Sequence, residues 1–200
     1  MTEAVGPSTG AAPPPPPPGP RLRLRPVRRD DLALLRRWIS DPEAASFNWF
    51  GFISETRWQQ DYDENGLLSD DHGNLIVEID VATGPGGTPT PTPIGDVSYY
   101  TVRYGPNTAS RCHGIGIHLT PEWRGHGYGT EAQRQLAAYL FATTTIERLE
   151  AATDVDNLAE QRSLEKAGFT REATIRQASF REGSWHDLAL YRRLRGDQAG

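Results

Sequence analysis

The 200-residue chain has one cysteine, Cys112, one methionine, and one lysine, Lys166. A single thiol excludes an internal disulfide and a metal site built from thiolates. Cys112-His113 reads as a core cysteine beside a partly exposed histidine, so no metal is expected. Long apolar runs are absent too. Nothing approaches the roughly 18 residues of a membrane span, and no membrane partner is expected. There is no basic excess: Lys+Arg number 21 against 26 Asp+Glu, giving a net charge of −5. That balance argues against a nucleic-acid-binding face. What remains is a cytoplasmic protein long enough for one domain with a substantial core.

Half of the 16 prolines fall in residues 1–20, including the run Pro13 to Pro18. Glu3 is the only charged side chain there, and the basic start and apolar centre of a signal peptide are missing. The segment reads as a disordered, partly polyproline II tail. A domain is expected over 21–195, with 196–200 as a short tail.

The most informative stretch runs from Ile115 to Thr130. Ile115, Ile117 and Leu119 alternate as one face of a strand. Arg124-Gly125-His126-Gly127-Tyr128-Gly129 follows, with glycine at every second position. Thr130 to about Ala142 then reads as an amphipathic helix, with Ala132, Leu136, Tyr139 and Leu140 on its core face. A strand entering a helix through glycines suits phosphate binding. Glycine admits positive φ and close approach, and the first-turn amides of a helix lack internal partners. A tight turn with no ligand is the other reading. Neither the G-x-G-x-x-G spacing nor a following Lys-Ser/Thr is present, so this is not a dinucleotide or P-loop site.

Around this stretch the periodicity gives β-α-α-β-β-β-α-β-α-β-β, a mixed α/β arrangement. Strand 1 starts near Arg21. Asp30 or Asp31 is expected to cap a helix bearing Leu32, Leu35, Trp38 and Ile39, which Asp41-Pro42 ends. Ser46 to Ile53 is aromatic and irregular, either core or the wall of a substrate pocket. Ser54 is expected to cap a second helix. Leu75 to Val81, Ile94 to Tyr104 and Arg111 to Thr120 form an antiparallel meander, with Thr83 to Pro93 as a loop. A strand over 149–155 precedes a helix, Leu158 to Ala167, that Asp156 or Asn157 caps and Gly168 stops. Two final strands flank the turn Glu182-Gly183.

Arg124, Gly127 and Gly129 match the Arg/Gln-x-x-Gly-x-Gly/Ala motif, and the chain resembles the GNAT N-acetyltransferases. Arg21 to Val27, Ser40 to Glu43, Pro121 to Ala132, Asn157 with Leu164 to Phe169, and Trp185 to Asp187 with Tyr191 resemble the RimJ/RimL branch, the ribosomal-protein alanine N-acetyltransferases. The resemblance covers about residues 21 to 194. It implies a mostly antiparallel sheet of six to seven strands flanked by about four helices. It also implies acetyl-CoA as cosubstrate, a primary amine as acceptor, and a monomer or homodimer. Cofactor contacts fall to Ile117, His118 and Leu119 on the strand, to Arg124, Gly125, His126, Gly127, Tyr128, Gly129 and Thr130 in the loop, and to Asn157.

Acetyl transfer needs a proton acceptor for the amine, donors for the thioester oxygen, and an acid for the departing thiolate. The resemblance assigns the second need to strand amides between Ile115 and Leu119, splayed from the next strand, with Gly114 and Gly116 suited to the distortion. The other two are open. Gly114, Glu160 and Leu164 stand where relatives often carry a glutamate, a serine and a tyrosine. His113, His118, Glu160, Ser163, Asp96, Asp187 and Tyr191 are the candidates, and His118, Glu160, Ser163 and Tyr191 are taken as the catalytic set. Glu160 would be an acid if desolvated, though its position reads as a solvated helix face. The departures keep open a second function, a CoA-binding sensor or scaffold without catalysis.

Overall fold

The computed structural model describes residues 21–49, 51, 54–82 and 87–197. The proline-rich tail over 1–20 lies outside them, as do Phe50, Phe52 and Ile53. Seven strands form one sheet in the order β1-β2-β3-β4-β5-β7-β6. They are β1 Leu22–Pro26, β2 His72–Ala82, β3 Pro89–Arg103, β4 Arg111–Leu119, β5 Arg148–Asp154, β6 Thr170–Arg181 and β7 Ser184–Leu194. The helices are α1 Asp31–Ser40, α2 Pro42–Ala45, α3 Glu55–Asn65, α4 Tyr128–Thr143 and α5 Leu158–Lys166. The meander β2-β3-β4 is antiparallel, as the alternation predicts.

The sheet is covered on both faces. Leu75, Val77 and Ile79 of β2 join Ile94, Val97 and Ile115 against Ala132, Leu136 and Leu140 of α4. Ile76 points the other way, into a smaller cluster with Val27, Leu35, Trp38 and Leu67 under α1 and α3. A strand buried on both faces reads as a continuous apolar run, which is why Leu75-Ile76-Val77 breaks the polar alternation. Leu136 is fully buried, and its truncation to alanine would cost about 2–5 kcal/mol.

Four details differ from expectation. Neither Asp30 nor Asp31 makes a side-chain cap for α1. Asp31 lies within the first turn and reaches backwards, accepting from the Arg28 N–H at 2.7 Å and from Arg25 Nη1 at 2.6 Å. Ser54 occupies the cap position of α3 without a side-chain bond. The loop expected over Thr83 to Pro93 is strand from Pro89 onward. The partners of β3 on β4 begin only at Gly95, so residues 89–93 form a free edge. Proline has no N–H, so Thr90 and Thr92 must supply the donors to β2, and the alternating prolines face outward. Gly196 and Asp197 are also less tail-like than expected: Asp197 accepts from the Leu194 N–H at 2.9 Å and from Arg192 at 2.6 Å. Asn157 does cap α5 as predicted, accepting from the Glu160 N–H at 3.3 Å.

Candidate active site

β4 and β5 are the one parallel pair among the described strands. Two residue pairs join them, His113 with Leu149 and Gly114 with Glu150. Beyond Gly114 the strands part, and a cavity of about 510 Å³ opens between them. Ile115 to Leu119 form one lip, and Ala151, Ala152 and Thr153 the other. The glycine at 114 answers a close approach from β3: a Cβ there would come within 2.4 Å of the Tyr100 ring. That contact, rather than the splay itself, is what demands glycine. Alternate residues of a strand turn their backbone groups to the same side. The Ile117 carbonyl accepts from Asn48 Nδ2 at 2.9 Å, and the Leu119 carbonyl from Arg124 Nε at 2.8 Å. Both carbonyls lie on the edge that β5 has left, and the Ile117 and Leu119 N–H groups share that side.

The floor at one end is the glycine turn. Gly127 has φ +84° and stands at the N-cap of α4. A side chain there would have space, but the left-handed backbone itself disfavours it. The amides of Tyr128, Gly129 and Thr130 open the helix, and the Glu131 N–H is the first to find a backbone carbonyl of the turn, Gly127's, at 3.2 Å. Arg124 on the loop and Arg162 and Lys166 on α5 border the same cavity. Backbone donors, the positive end of a helix and three cations are a set that can hold phosphate. The His126 and Tyr128 rings stack with centroids 6.0 Å apart, and neither residue lines the cavity.

The Acetyltransferase (GNAT) domain family matches residues 21–170. The chain belongs to the GNAT acetyltransferase family. Three Bacillus subtilis proteins are similar over shorter stretches. Probable N-acetyltransferase YjcK is 36% identical over 94 residues, 47% of this chain and 50% of that protein. Putative ribosomal N-acetyltransferase YdaF is 30% identical over 86 residues, 43% of this chain and 47% of its own. Uncharacterized N-acetyltransferase YoaA is 33% identical over 78 residues, 38% and 44% of the two chains. The chain thus spans about half the length of the curated relatives it matches. Among solved structures, spermidine N-acetyltransferase from Vibrio cholerae, in complex with CoA and spermine, aligns with TM-score 0.70 at 20% identity over 88% of this chain and 96% of its own. Ribosomal-protein-S5-alanine acetyltransferase from Vibrio fischeri aligns with TM-score 0.65 at 18% identity, over 88% and 94% of the two chains. These identities speak to the fold: the seven-stranded mixed sheet with four long helices is the GNAT fold.

The predicted catalytic candidates go to different places. His118, Glu160 and Ser163 line the cleft of this GNAT domain. Glu160 is half-buried rather than on a solvated face, and its carboxylate accepts from Gln133 of α4. Burial pushes its pKa up to about 7, against the pull of the Gln133 bond. The Ser163 hydroxyl bridges α5 to α4, 3.2 Å from Thr130 Oγ1 and 3.4 Å from Gln133 Oε1. Tyr191 is fully buried under α5, donating to Glu165 at 3.1 Å, and does not line the cleft. Asp187 accepts from the Gln177 N–H at 2.8 Å, at an irregularity in the β6 ladder. His113 is not partly exposed as expected. It is buried against the Tyr99 ring, and burial lowers its pKa. Cys112 is a core residue as predicted, its thiol pushed up to about 12 by burial.

The sequence allows Ser46 to Ile53 as core or as pocket wall. Ser46, Phe47 and Asn48 line the cleft, whereas Phe50, Phe52 and Ile53 lie outside the described residues. Sequence reasoning missed Asn48, Arg162 and Lys166. For the two cations a signal existed: they stand four residues apart on the helix that Asn157 caps, hence on one face. Asn48 lies in the segment read as core or pocket wall, with nothing to single it out there. Among the described residues no group of three or more His, Cys, Asp or Glu side chains is placed to hold a metal ion. No helix is long and apolar enough to cross a membrane.

Proposed function

We propose that the protein is an acetyl-CoA-dependent N-acetyltransferase that moves the acetyl group directly to a primary amine. The carrying observation is the parting of β4 from β5 above a helix N-terminus bordered by Arg124, Arg162 and Lys166. The donor set fits the cosubstrate. The turn amides from Gly125 to Thr130 and the three cations would take the phosphates. The Ile117 and Leu119 N–H groups would pair with the pantetheine arm and meet charge developing on the thioester oxygen. Glu160, held protonated to about pH 7 by burial, would return a proton to the departing sulfur.

On the acceptor side we favour a single amine, such as a protein N-terminus, over a polyamine. Glu160 is the only carboxylate lining the cleft among the described residues, and it is placed on α5. A polyamine's second cation would find no described carboxylate opposite it. The similarity to a putative ribosomal N-acetyltransferase agrees with this choice.

Two measurements test the reading. CoA should raise the melting temperature of the full chain. Thiol release from acetyl-CoA should then appear with N-terminal alanine peptides and be weaker with spermidine. No stabilisation by CoA refutes the site. Tight CoA binding with no release for any amine turns the protein into a sensor or scaffold. Stronger release with spermidine than with peptides reverses the acceptor assignment.

A further inference from the structure

The chain carries its side-chain cations as arginine everywhere but once. Lys166 is the only lysine among 21 Lys and Arg residues, and it borders the cleft. Arg162 stands one turn before it on α5, and Arg124 borders the same cavity. The structural duties at this helix end are held by other groups. The Lys166 carbonyl accepts from Arg134 Nη2 at 3.0 Å, and the Gly168 and Phe169 N–H groups close the last turn on Glu165 and Leu164. The Lys166 side chain is exposed, and its ammonium has no hydrogen bond or ion pair among the described residues. An arginine there would hold phosphate at least as well, through its planar fork of donors. What only lysine adds is a nitrogen that can lose its proton and take an acyl group. The guanidinium of arginine stays protonated in proteins.

We propose that Lys166 is an acylation site that weakens the phosphate-holding end of the cleft, with a small acyl phosphate as the acyl donor and bound cosubstrate as the protection against it. This rests on the acetyl-CoA reading above. Three cations around one cavity draw a small anion to the amine and raise its concentration there. Lys166 Nζ loses a proton to water, and the freed electron pair forms the bond to the acyl carbon. The bond from that carbon to the bridging oxygen breaks, and its pair leaves on inorganic phosphate. The products are an amide on Nζ and free phosphate. Acetylation removes the charge of the side chain, so two cations remain where there were three. A seated acetyl-CoA sets phosphate, not its thioester, against this amine. It therefore shields Lys166 rather than acylating it. The modification falls on the empty enzyme and keeps it empty.

The test uses the full chain with acetyl phosphate, and peptide mass spectrometry locates each added acetyl group. Saturating CoA should slow acetylation of Lys166 at least about 10-fold, while acetylation of the chain's α-amine, the internal reference, continues. Calorimetry should then show that the acetylated chain binds CoA about 10-fold more weakly. Lys166→Gln should show the same loss without treatment. Lys166→Arg keeps the charge and offers no acylable nitrogen, so its affinity for CoA should be the same before and after treatment. An unmodified Lys166, or equal modification with and without CoA, overturns the proposal. So does full CoA affinity in the acetylated chain or in Lys166→Gln. A loss on treating Lys166→Arg places the effect at another site and also overturns it. Acetylation of Lys166 by acetyl-CoA alone, at the rate seen with acetyl phosphate, overturns the choice of donor. If the untreated chain binds no CoA, the acetyl-CoA reading fails first and the proposal falls with it.

Discussion

The two walls of the cleft are made of different material. The donor wall is mostly main chain: the edge of β4, a turn with Gly127 at φ +84° and the first amides of α4. The acceptor wall is side chains from distant segments: Phe47 and Asn48 after α2, and His118 with Asp96 beneath them. Arg181 of the β6–β7 hairpin reaches into the same wall. Its guanidinium lies 5.0 Å from the Phe47 ring centroid and pairs with Asp154 at 2.8 Å. A wall built from backbone depends on conformation and is unforgiving of any Cβ that changes it. A wall built from side chains can be revised one residue at a time.

Four substitutions sharpen or break that contrast. The largest effect on binding is expected from Gly127→Val. A β-branched residue at that φ is strained, and forcing the turn over should weaken acetyl-CoA at least about 100-fold, measured by calorimetry, with the circular dichroism spectrum retained. Normal affinity would show that the donor wall does not depend on this backbone. Arg25→Ala probes a region outside both walls. Arg25 joins Glu78 at 2.8 Å and Asp31 at 2.6 Å, with 12%, 6% and 9% of the three side chains exposed. Removing the cation leaves Glu78 with Arg23 and Asp31 with the Arg28 N–H as their remaining partners, and urea unfolding should show a loss of about 2 kcal/mol for the lost charged hydrogen bonds. Acetyl-CoA affinity should stay the same.

Glu160→Gln reports on the seam between the walls. Its folded carboxyl titrates at about 7 because of burial, against about 4.3 in an unfolded chain. The folded state therefore binds this proton more tightly. The stability it contributes is full below the unfolded value and is lost as pH rises through the folded one. Thermal scans should show Glu160's share as a fall of about 5 °C across that window, and Glu160→Gln should remove that share. Identical slopes would mean the carboxyl is not desolvated. The smallest effect belongs to Asn48→Ala. Losing one bond to the Ile117 carbonyl removes about 1 kcal/mol, and should raise the KM for the amine roughly fivefold. An unchanged KM would separate the two walls entirely.

What the sequence made legible follows the same division. The three meander strands, the glycine turn, α4 and α5 are local patterns of period two or 3.6, and each is present, although β3 starts at Pro89 inside the expected loop. The cap expected for α1 is absent because an aspartate near a helix start has other partners available. Asp31 chose Arg25 and the Arg28 amide, contacts that a one-dimensional pattern does not contain. Glu160 looked solvated because its neighbours in sequence are polar, while its neighbour in space is Gln133 on another helix. The opposition of Asp96 and His118 depends on strand register, so both are readable as candidates in the sequence and their pairing is not.

The prolines at 89, 91 and 93 have a consequence away from the cleft. Where β3 outruns β4, the rim of the sheet would otherwise offer a row of open amide donors to any passing chain. Three rings in place of N–H groups leave that rim unable to recruit a foreign strand. This longest strand of the sheet thus carries its own guard against stacking into fibrils, and replacing those prolines with valine would disarm it.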